Sequence, residues 1–131
     1  MLLDTSGLLC FFDNSDSRHT DAATFFQSSA TLLTHDCVLA EFVPLSYVRG
    51  FKRENTLRFV RSLIKNPVVE IVWTTDYHYA QALALLEARL DKTYSLCDAI
   101  SFLLMRERNI REALTTDHHF EQEGFVRLLP Q

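Results

Sequence analysis

Two acidic residues of the sequence each stand at the end of an apolar, β-prone run. Asp4 closes the run Met1–Leu3, and Asp117 comes soon after the run Ala113–Thr115. In a parallel sheet such positions lie at the carboxyl edge of the strands, where open α/β folds bind their ligands. We therefore expect Asp4 and Asp117 to share one end of the molecule.

Two further acids are expected at the same end of the molecule, because each lies near the start of a helix that begins there. Asp98 lies in the first turn of a predicted helix that leads into the strand at Ala113, so that this helix should begin at the carboxyl edge. Glu41 lies about one turn into the helix that follows the strand at Leu32. Its sequence neighbours are almost all apolar, and an unpaired carboxylate in such a setting is costly. We expect Glu41 to need a cation or another partner.

Four carboxylates at one edge predict a site for a divalent cation. Two like charges 4 Å apart repel by about 4 kcal/mol at an effective dielectric constant of 20, and a bound cation relieves this repulsion. Ligation by oxygen alone favours Mg²⁺ or Mn²⁺ over zinc. The chemistry of such a site is phosphodiester hydrolysis by water that the cation activates. The predicted ligands and catalytic groups are Asp4, Glu41, Asp98 and Asp117.

Helix capping is the alternative explanation for the individual acids. Asp98 stands three residues after Ser95, which is the spacing of a capping box, and acids in a first turn favour the helix dipole. Asp4 and Asp117 could also cap helices. Capping does not explain why all these acids should share one edge, so the set as a whole favours the metal site.

The remaining reactive side chains are given structural roles. His118 and His119 adjoin Asp117 and could contact substrate or metal, but we favour a surface pair near a turn. Cys97 is interpreted as helix packing and not as a nucleophile, because the sequence places no histidine near it. The scattered histidines that form no ligand spacing are His19, His35 and His78.

Length and composition predict one domain over residues 1–131. The chain is 47% hydrophobic, which is enough for one core. Its three cysteines are odd in number and far apart in the sequence, so we expect free thiols in a reducing cytoplasm. Charges interrupt every apolar stretch before the roughly 18 residues that a membrane span needs, and we expect neither a membrane helix nor a signal peptide.

The charge of the chain is unevenly distributed. The formal net charge is −4, yet residues 49–65 carry a local net charge of +5. The basic residues in this segment are Arg49, Lys52, Arg53, Arg58, Arg61 and Lys65, opposed by the single acid Glu54. Such a segment is compatible with a basic rim that holds phosphate beside an acidic centre and equally with a solvated helix face.

Hydrophobic periodicity predicts strands that alternate with helices, and therefore an α/β sandwich with a mainly parallel sheet. The predicted strands are Met1–Leu3, Thr31–Thr34, Val68–Trp73, Ala113–Thr115 and Phe125–Leu129. The predicted helices are Ser6–Phe12, Ser17–Ser28, Cys37–Tyr47, about Glu54–Ile64, one capped by Thr75 that runs to Leu90, and one capped by Ser95 that runs to about Arg108. Pro44 could bend or break the third helix. With three glycines in the chain, no Gly-rich nucleotide-binding loop can be built.

Four segments of the sequence resemble the PIN-domain family, and within it the VapC-type toxins of prokaryotic toxin–antitoxin pairs. The segments are Leu3–Leu9, Leu39–Phe42, Ser95–Phe102 and Leu114–Phe120. The likeness extends over nearly the whole chain with the motifs in the family's order. It implies a three-layer α/β/α sandwich, often dimeric, that binds Mg²⁺ or Mn²⁺ and cuts RNA, and that a small antitoxin protein silences. The chain would then be the toxin of a type II toxin–antitoxin pair.

The resemblance also implies roles for individual residues. Asp4, Glu41, Asp98 and Asp117 match the acidic positions of the family. The hydroxyl groups expected to orient ligands or water belong to Thr5, Ser6 and Thr116. The residues expected to contact RNA come from the basic segment and not from the resemblance, and they are some of Arg49, Lys52 and Arg53. The stretch from Pro44 to Asn55 fits no family motif, so we expect the groove that grips RNA to differ here from that of the family, without an effect on the metal ligands.

Two other functions are compatible with parts of the sequence. A PIN-like RNA-binding or regulatory module would use any metal for structure and release no cleavage products. A phosphoryl-transfer receiver or phosphatase fits worse, because Ser6 stands where an Asp-x-Asp motif needs its second acid and no lysine follows Lys92. The metal-dependent endoribonuclease is therefore the primary prediction.

Overall fold

A parallel five-stranded sheet organises the chain. The computed structural model describes residues 1–130. The strands are β1 (Leu2–Leu3), β2 (Leu32–His35), β3 (Val69–Val72), β4 (Glu112–Leu114) and β5 (Val126–Arg127). Their order in the sheet is β3-β2-β1-β4-β5, and each neighbouring pair is parallel. The predicted α/β class with a mainly parallel sheet is confirmed.

Helices connect the strands. They are α1 (Thr5–Phe12), α2 (His19–Ser28), α3 (Asp36–Val48), α4 (Arg53–Lys65), α5 (Asp76–Glu87), α6 (Leu96–Glu107) and α7 (His119–Gln122). Pro44 does not break α3, which is continuous through it. Thr75 caps α5 as predicted, but α5 ends at Glu87 and not at Leu90. Within residues 1–130, no helix combines the length and the apolar character needed to cross a bilayer.

Two apolar clusters lie on opposite faces of the sheet and define three layers. Successive residues of a strand point to opposite faces, so Leu3 joins the cluster beneath α1 to α4, whereas Leu2 joins the cluster beneath α5 to α7. Leu32 and Leu33 of β2 divide between the two clusters in the same way. Because helices cover both faces, every residue of the inner strands β1 and β2 is buried, as is typical of parallel sheets.

The central strand β1 places Asp4 in the middle of the carboxyl edge. Leu2 pairs with Leu33 of β2 on one side and with Ala113 of β4 on the other. The backbone N–H of Asp4 donates to the carbonyl of Leu114 at 3.2 Å, which extends the pairing with β4 by one residue. Asp4 is therefore flanked by the segments that follow β2 and β4.

Gly7 allows α1 to lie directly against β4. A Cβ atom built at Gly7 would lie 1.8 Å from the carbonyl oxygen of Leu114 and 2.4 Å from its carbonyl carbon. Both atoms belong to the backbone and cannot rotate away. Glycine is therefore required here for a close approach and not for an unusual backbone angle, and the approach fixes the distance between Asp4 and the end of β4.

A buried carboxylate at the end of α7 contacts α6 and the segment that follows α5. Glu123 accepts hydrogen bonds from Arg89, at 3.1 Å, and from Arg106 on α6. The side chain of Glu123 is 3% exposed, whereas the arginines reach solvent. This contact holds the segment after β4 in place, including the start of α7 at His119.

Candidate active site

Asp4 is the innermost acid of the site. It stands at the N-cap position of α1, is 6% exposed, and directs Oδ2 toward hydroxyl groups across the sheet edge. Thr115 Oγ1 donates to this oxygen at 2.7 Å, and Ser6 Oγ donates to it at 3.3 Å. Burial raises the pKa of Asp4 to about 7, and the charges of Asp98 and Asp117 add to this effect, although the hydrogen bond from Thr115 opposes it.

A network of hydroxyl groups links Asp4 to Asp117. Ser6 Oγ and Thr115 Oγ1 lie 3.1 Å apart. Ser6 Oγ accepts from the N–H of Thr116, and Thr115 Oγ1 accepts from the N–H of Asp117, both at 3.0 Å. The backbone around the fourth acid is thus held by the same hydroxyl groups that contact the first.

Thr115, and not Thr116, supplies the hydroxyl group at the end of β4. Thr116 contributes only its backbone to the network: its N–H donates to Ser6 and its carbonyl accepts from Arg127 at 3.0 Å. The resemblance implies the hydroxyl group of Thr116 at this place, whereas the side-chain hydrogen bonds come from Thr115. The alternation of an extended chain could have indicated the right residue, because positions 115 and 117 share a side of the strand that position 116 does not.

Asp98 both caps α6 and faces the other acids. The side chain of Asp98 accepts from the N–H of Ser95, and Ser95 Oγ accepts from the N–H of Asp98, each at 3.0 Å. The capping explanation for this residue is therefore correct, yet it does not exclude a role in the site. Asp98 is 8% exposed, and burial raises its pKa, with the charge of Asp117 contributing.

His119 joins Asp98 to Asp117. Its Nδ1 lies 3.2 Å from Asp98 Oδ2 and 3.3 Å from Asp117 Oδ2, and its side chain is 16% exposed. Nε2 lies 3.2 Å from Thr93 Oγ1. The interpretation of two surface histidines is wrong for His119 and correct for His118, which is exposed. The sequence does not distinguish the two rings, because their environments differ only once the chain has formed the start of α7, where His119 turns inward.

Glu41 differs from the other three acids because it is exposed. Its apolar sequence neighbours predicted a buried environment, and that prediction is wrong: Leu39 and Phe42 are buried, whereas Glu41 lies on the exposed side of α3. The charge of Glu41 nevertheless acts on Cys97, the residue before Asp98, together with the charge of Asp4. Glu41 therefore lies on the open side of the acidic group.

The donor set fits a hard divalent cation. Buried carboxylates whose charges oppose one another are stabilised by a cation, and all of the acids offer oxygen. A second observation supports the fit: Thr5 Oγ1 is buried beside Asp4 without a hydrogen-bond partner among residues 1–130. A cation or its water would satisfy this hydroxyl group. The residues that could hold the ion are Asp4, Asp98, Asp117 and Glu41.

Cys97 has a histidine near it, contrary to the sequence interpretation. One ring nitrogen of His35 and the sulfur atoms of Cys37 and Cys97 lie within 4.8 Å of one another. Cys97 is nevertheless no nucleophile, because burial and the nearby carboxylates raise the pKa of its thiol far above the ordinary range. All three cysteines are free, as predicted.

The predicted RNA contacts lie away from the acids. Lys52 and Arg53 are exposed at the start of α4, and Arg49 is exposed at the end of α3. The charge of Arg49 acts on Cys10 and Asp16. Because α1 runs from Asp4 to this region, its length of about 12 Å separates Arg49 from the acids. Any RNA contact by these residues would therefore involve nucleotides that flank the scissile bond.

The architecture and the motifs agree with a known family. The model of the PIN domain matches residues 1–125, which is most of the chain. The chain belongs to the PIN-domain family.

This PIN domain has relatives of known activity. It is 29% identical, over 132 residues, to the 23S rRNA-specific endonuclease VapC20 of Mycobacterium tuberculosis, in strain H37Rv and equally in strain CDC 1551 / Oshkosh. The match covers 100% of this chain and 99% of VapC20. A crystal structure of Mycobacterium tuberculosis VapC20, described as a Sarcin-Ricin loop cleaving toxin, superimposes with a TM-score of 0.88 at 28% identity and covers 98% of both chains.

The raised pKa of Asp4 in this PIN domain predicts an unusual dependence of stability on pH. Between about pH 4 and pH 7 the unfolded state has lost the Asp4 proton while the folded state retains it, so this group destabilises the fold as the pH rises. The effect is at most about 1.4 kcal/mol per pH unit. We expect the Asp4→Asn protein, free of metal, to exceed the parent in its free energy of unfolding by an amount that grows by a few kcal/mol across this range.

Urea unfolding of both proteins at several pH values, in EDTA, measures this difference. Comparison with the variant removes the contributions of all other titrating groups, which the two proteins share. Mg²⁺ at pH 8 should raise the melting temperature of the parent more than that of the variant. A difference between the two proteins that does not change from pH 4 to pH 7 would show that Asp4 ionises normally.

Proposed function

We propose that this protein is a metal-dependent endoribonuclease whose single nuclease domain comprises residues 1–131, and that it acts as the toxin of a type II toxin–antitoxin pair. The observation that carries the proposal is the buried carboxylate of Asp4 beside two further carboxylates at the carboxyl edge of the sheet. Membership of the PIN-domain family supports the nuclease chemistry, and the similarity to VapC20 supports the toxin role.

The proposed ligands are Asp4, Asp98, Asp117 and Glu41, holding Mg²⁺ or Mn²⁺. The bound cation would activate water for attack on phosphorus and neutralise charge that develops on the phosphate. Asp4 and Asp98 fix the inner side of the site, because hydrogen bonds from Thr115 and Ser95 hold their carboxylates. Glu41 is exposed and lies on the side from which RNA would arrive.

The hydroxyl groups and His119 would orient the ligands. Thr115 and Ser6 both donate to one oxygen of Asp4 and thereby fix the orientation of its carboxylate. His119 lies between Asp98 and Asp117 and separates their charges in the absence of metal. An imidazole at this position would also limit how far the two carboxylates move when the ion leaves. Such contacts typically change metal affinity or activity 10- to 100-fold.

We propose ribosomal RNA as the substrate class, because VapC20 is a 23S rRNA-specific endonuclease. We also propose that a small antitoxin protein inhibits the enzyme and that the active form is a homodimer. The test of partners is co-expression with the small protein encoded beside this one, followed by isolation of the complex and measurement of its mass. Growth arrest on expression of this chain alone, relieved by that small protein, would support the toxin role.

Cleavage of ribosomal RNA tests the proposed function. An end-labelled hairpin with the sarcin–ricin sequence is incubated with the protein in Mg²⁺, in Mn²⁺ and in EDTA. We expect products with either metal and none in EDTA. An RNA-binding module without catalysis would shift the hairpin in a gel but release no product at any metal concentration, and that result would overturn the proposal.

Substitution of the basic residues near α4 should weaken RNA binding without affecting the chemistry. In the Lys52→Glu/Arg53→Glu protein, loss of two phosphate contacts and reversal of their charge should raise KM by about tenfold or more at low salt, with kcat within threefold of the parent. The salt dependence of kcat/KM should also become shallower.

A matched control for these two residues is another exposed arginine, Arg111. Arg111 is exposed just before β4, whose amino end faces away from the acids, so Arg111→Glu should leave KM nearly unchanged. Steady-state cleavage at several salt concentrations measures both variants. Equal effects of the two substitutions would indicate a nonspecific response to net charge and not a contact with RNA.

A further inference from the structure

A second group of potential metal ligands lies below the carboxylates, in the layer between the sheet and the helices. His35 ends β2, Cys37 lies in the first turn of α3, and Cys97 lies in the first turn of α6. One nitrogen of the His35 ring and the two sulfur atoms lie within 4.8 Å of one another. Three separate elements thus converge on one point with ligands different from those of the acidic site.

The ring of His35 has a nitrogen that is free to bind a cation. It is 0% exposed, its Nε2 lies 2.8 Å from Ser101 Oγ, and its Nδ1 has no hydrogen-bond partner among residues 1–130. A buried ring nitrogen without a partner is uncommon. When the ring proton is on Nε2 it donates to Ser101, and the lone pair of Nδ1 remains free. Ligating histidines are usually oriented by such a hydrogen bond on the other nitrogen.

Burial keeps this ring neutral. The pKa of His35 is lowered to about 4, mainly by desolvation, so that the imidazole is uncharged at neutral pH. A neutral imidazole is the form that binds metals. Ser101 and Cys97 are four residues apart on α6 and therefore share the helix face that meets His35. The residue that orients the ring and one of the sulfur ligands thus come from the same turn of helix.

We propose that His35, Cys37 and Cys97 form a binding site for a thiophilic cation of the Zn²⁺ class. Two thiolates and an imidazole are the ligands of such ions, whereas Mg²⁺ and Mn²⁺ favour oxygen. Ligand atoms around a tetrahedral zinc lie up to about 3.8 Å apart, so small side-chain rotations would close the group around the ion. Binding replaces the protons of the two thiols, which pass to solvent.

The side of the group on which Cys37 lies is open enough for an ion to enter and for a fourth ligand to bind. Cys37 is half-buried, and its sulfur lies 3.9 Å from the hydroxyl group of Tyr79 on α5. A three-ligand zinc site accepts water or another oxygen in its fourth position. Cys97 and His35 close the inner side, where both are buried.

Cobalt distinguishes this site from the acidic one. The protein is prepared in a metal-free, non-thiol reductant and titrated with Co²⁺, which gives a thiolate-to-cobalt charge-transfer band only when sulfur is a ligand. We expect the band to saturate at one equivalent and to disappear when Zn²⁺ is added. Competition with a chromogenic chelator then gives the affinity for Zn²⁺.

Variants assign the ligands. Cys37→Ser and Cys97→Ala should each abolish the band and weaken Zn²⁺ binding at least tenfold, and Ser101→Ala should weaken binding about tenfold through the loss of ring orientation. Cys10→Ala removes a buried thiol of α1 that does not belong to this group of ligands and should leave the band intact. Asp98→Asn should also retain it, which separates this site from the acidic one. Melting curves identify any variant that does not fold.

Two outcomes would overturn the proposal. One is the absence of a charge-transfer band in the folded parent protein. The other is Zn²⁺ binding that Cys37→Ser and Cys97→Ala leave unchanged but Asp98→Asn abolishes, which would place the zinc among the carboxylates. Neither outcome depends on whether the protein cleaves RNA, so the test stands apart from the test of the proposed function.

Discussion

The Asp98→Asn protein is expected to lose RNA cleavage while keeping its fold. Asparagine retains an oxygen that can accept the N–H of Ser95, so the cap of α6 survives, but the negative charge offered to the cation is lost. Metal ions contribute several kcal/mol of charge stabilisation in the transition state, and each 1.4 kcal/mol corresponds to a factor of ten. Single-turnover cleavage of the ribosomal hairpin should therefore slow by roughly 10²- to 10⁴-fold.

A second acid in a first helical turn provides the control. Asp21 is exposed in the first turn of α2, away from the acids, and Asp21→Asn should cleave RNA within about twofold of the parent rate. Circular dichroism and melting temperatures should be nearly the same for both variants and the parent. If Asp98→Asn cut RNA as fast as Asp21→Asn, the assignment of Asp98 to the metal site would be wrong.

The Gly7→Ala protein is expected to be the least stable single variant of the domain. The added methyl group would lie 1.8 Å from the carbonyl oxygen of Leu114, so that α1 must move away from β4. Overpacking against backbone costs more than the usual 1 to 3 kcal/mol, and we expect a loss of about 4 kcal/mol or more in the free energy of unfolding. Because the free energy of unfolding of a folded domain is about 5 to 15 kcal/mol, this loss removes much of the stability of the domain.

Urea unfolding and thermal melting measure this loss, and the melting temperature should fall by roughly 10 °C or more. Gly124→Ala is the matched control, because Gly124 has φ of 94° but no atom within 4 Å of an added Cβ. That variant suffers only the backbone strain of a left-handed residue, about 1 to 2 kcal/mol. Equal losses in the two variants would show that α1 is not held against β4 as the structure places it.

The sequence was sufficient to predict the elements that obey simple periodicity. Strand ends placed Asp4 and Asp117 at one edge, and the direction of a helix placed Asp98 beside them, because these positions depend only on the topology of a parallel sheet. Thr75 and Ser95 identified the starts of two helices through their capping chemistry.

Local sequence could not predict the features that depend on orientation across elements. The neighbours of Glu41 in the chain are apolar, yet its side chain is exposed, because a helix turns consecutive residues by 100° and only one face meets the core. His118 and His119 are adjacent in the sequence and have opposite environments for the same reason. The proximity of His35, Cys37 and Cys97 depends on three elements that meet only in the folded chain.

The position of β1 at the centre of the sheet has a consequence for the synthesis of the protein. The first strand to leave the ribosome needs both β2 and β4 as neighbours, and β4 is the fourth of the five strands to be made. Asp117 follows β4, so the proposed site can assemble only when nearly the whole chain has emerged. At about 5 to 20 residues per second, the first acid precedes the last by roughly 10 s. We therefore expect a nascent chain to be inactive beside the ribosome that makes it, and the proposed antitoxin would have this interval in which to reach it.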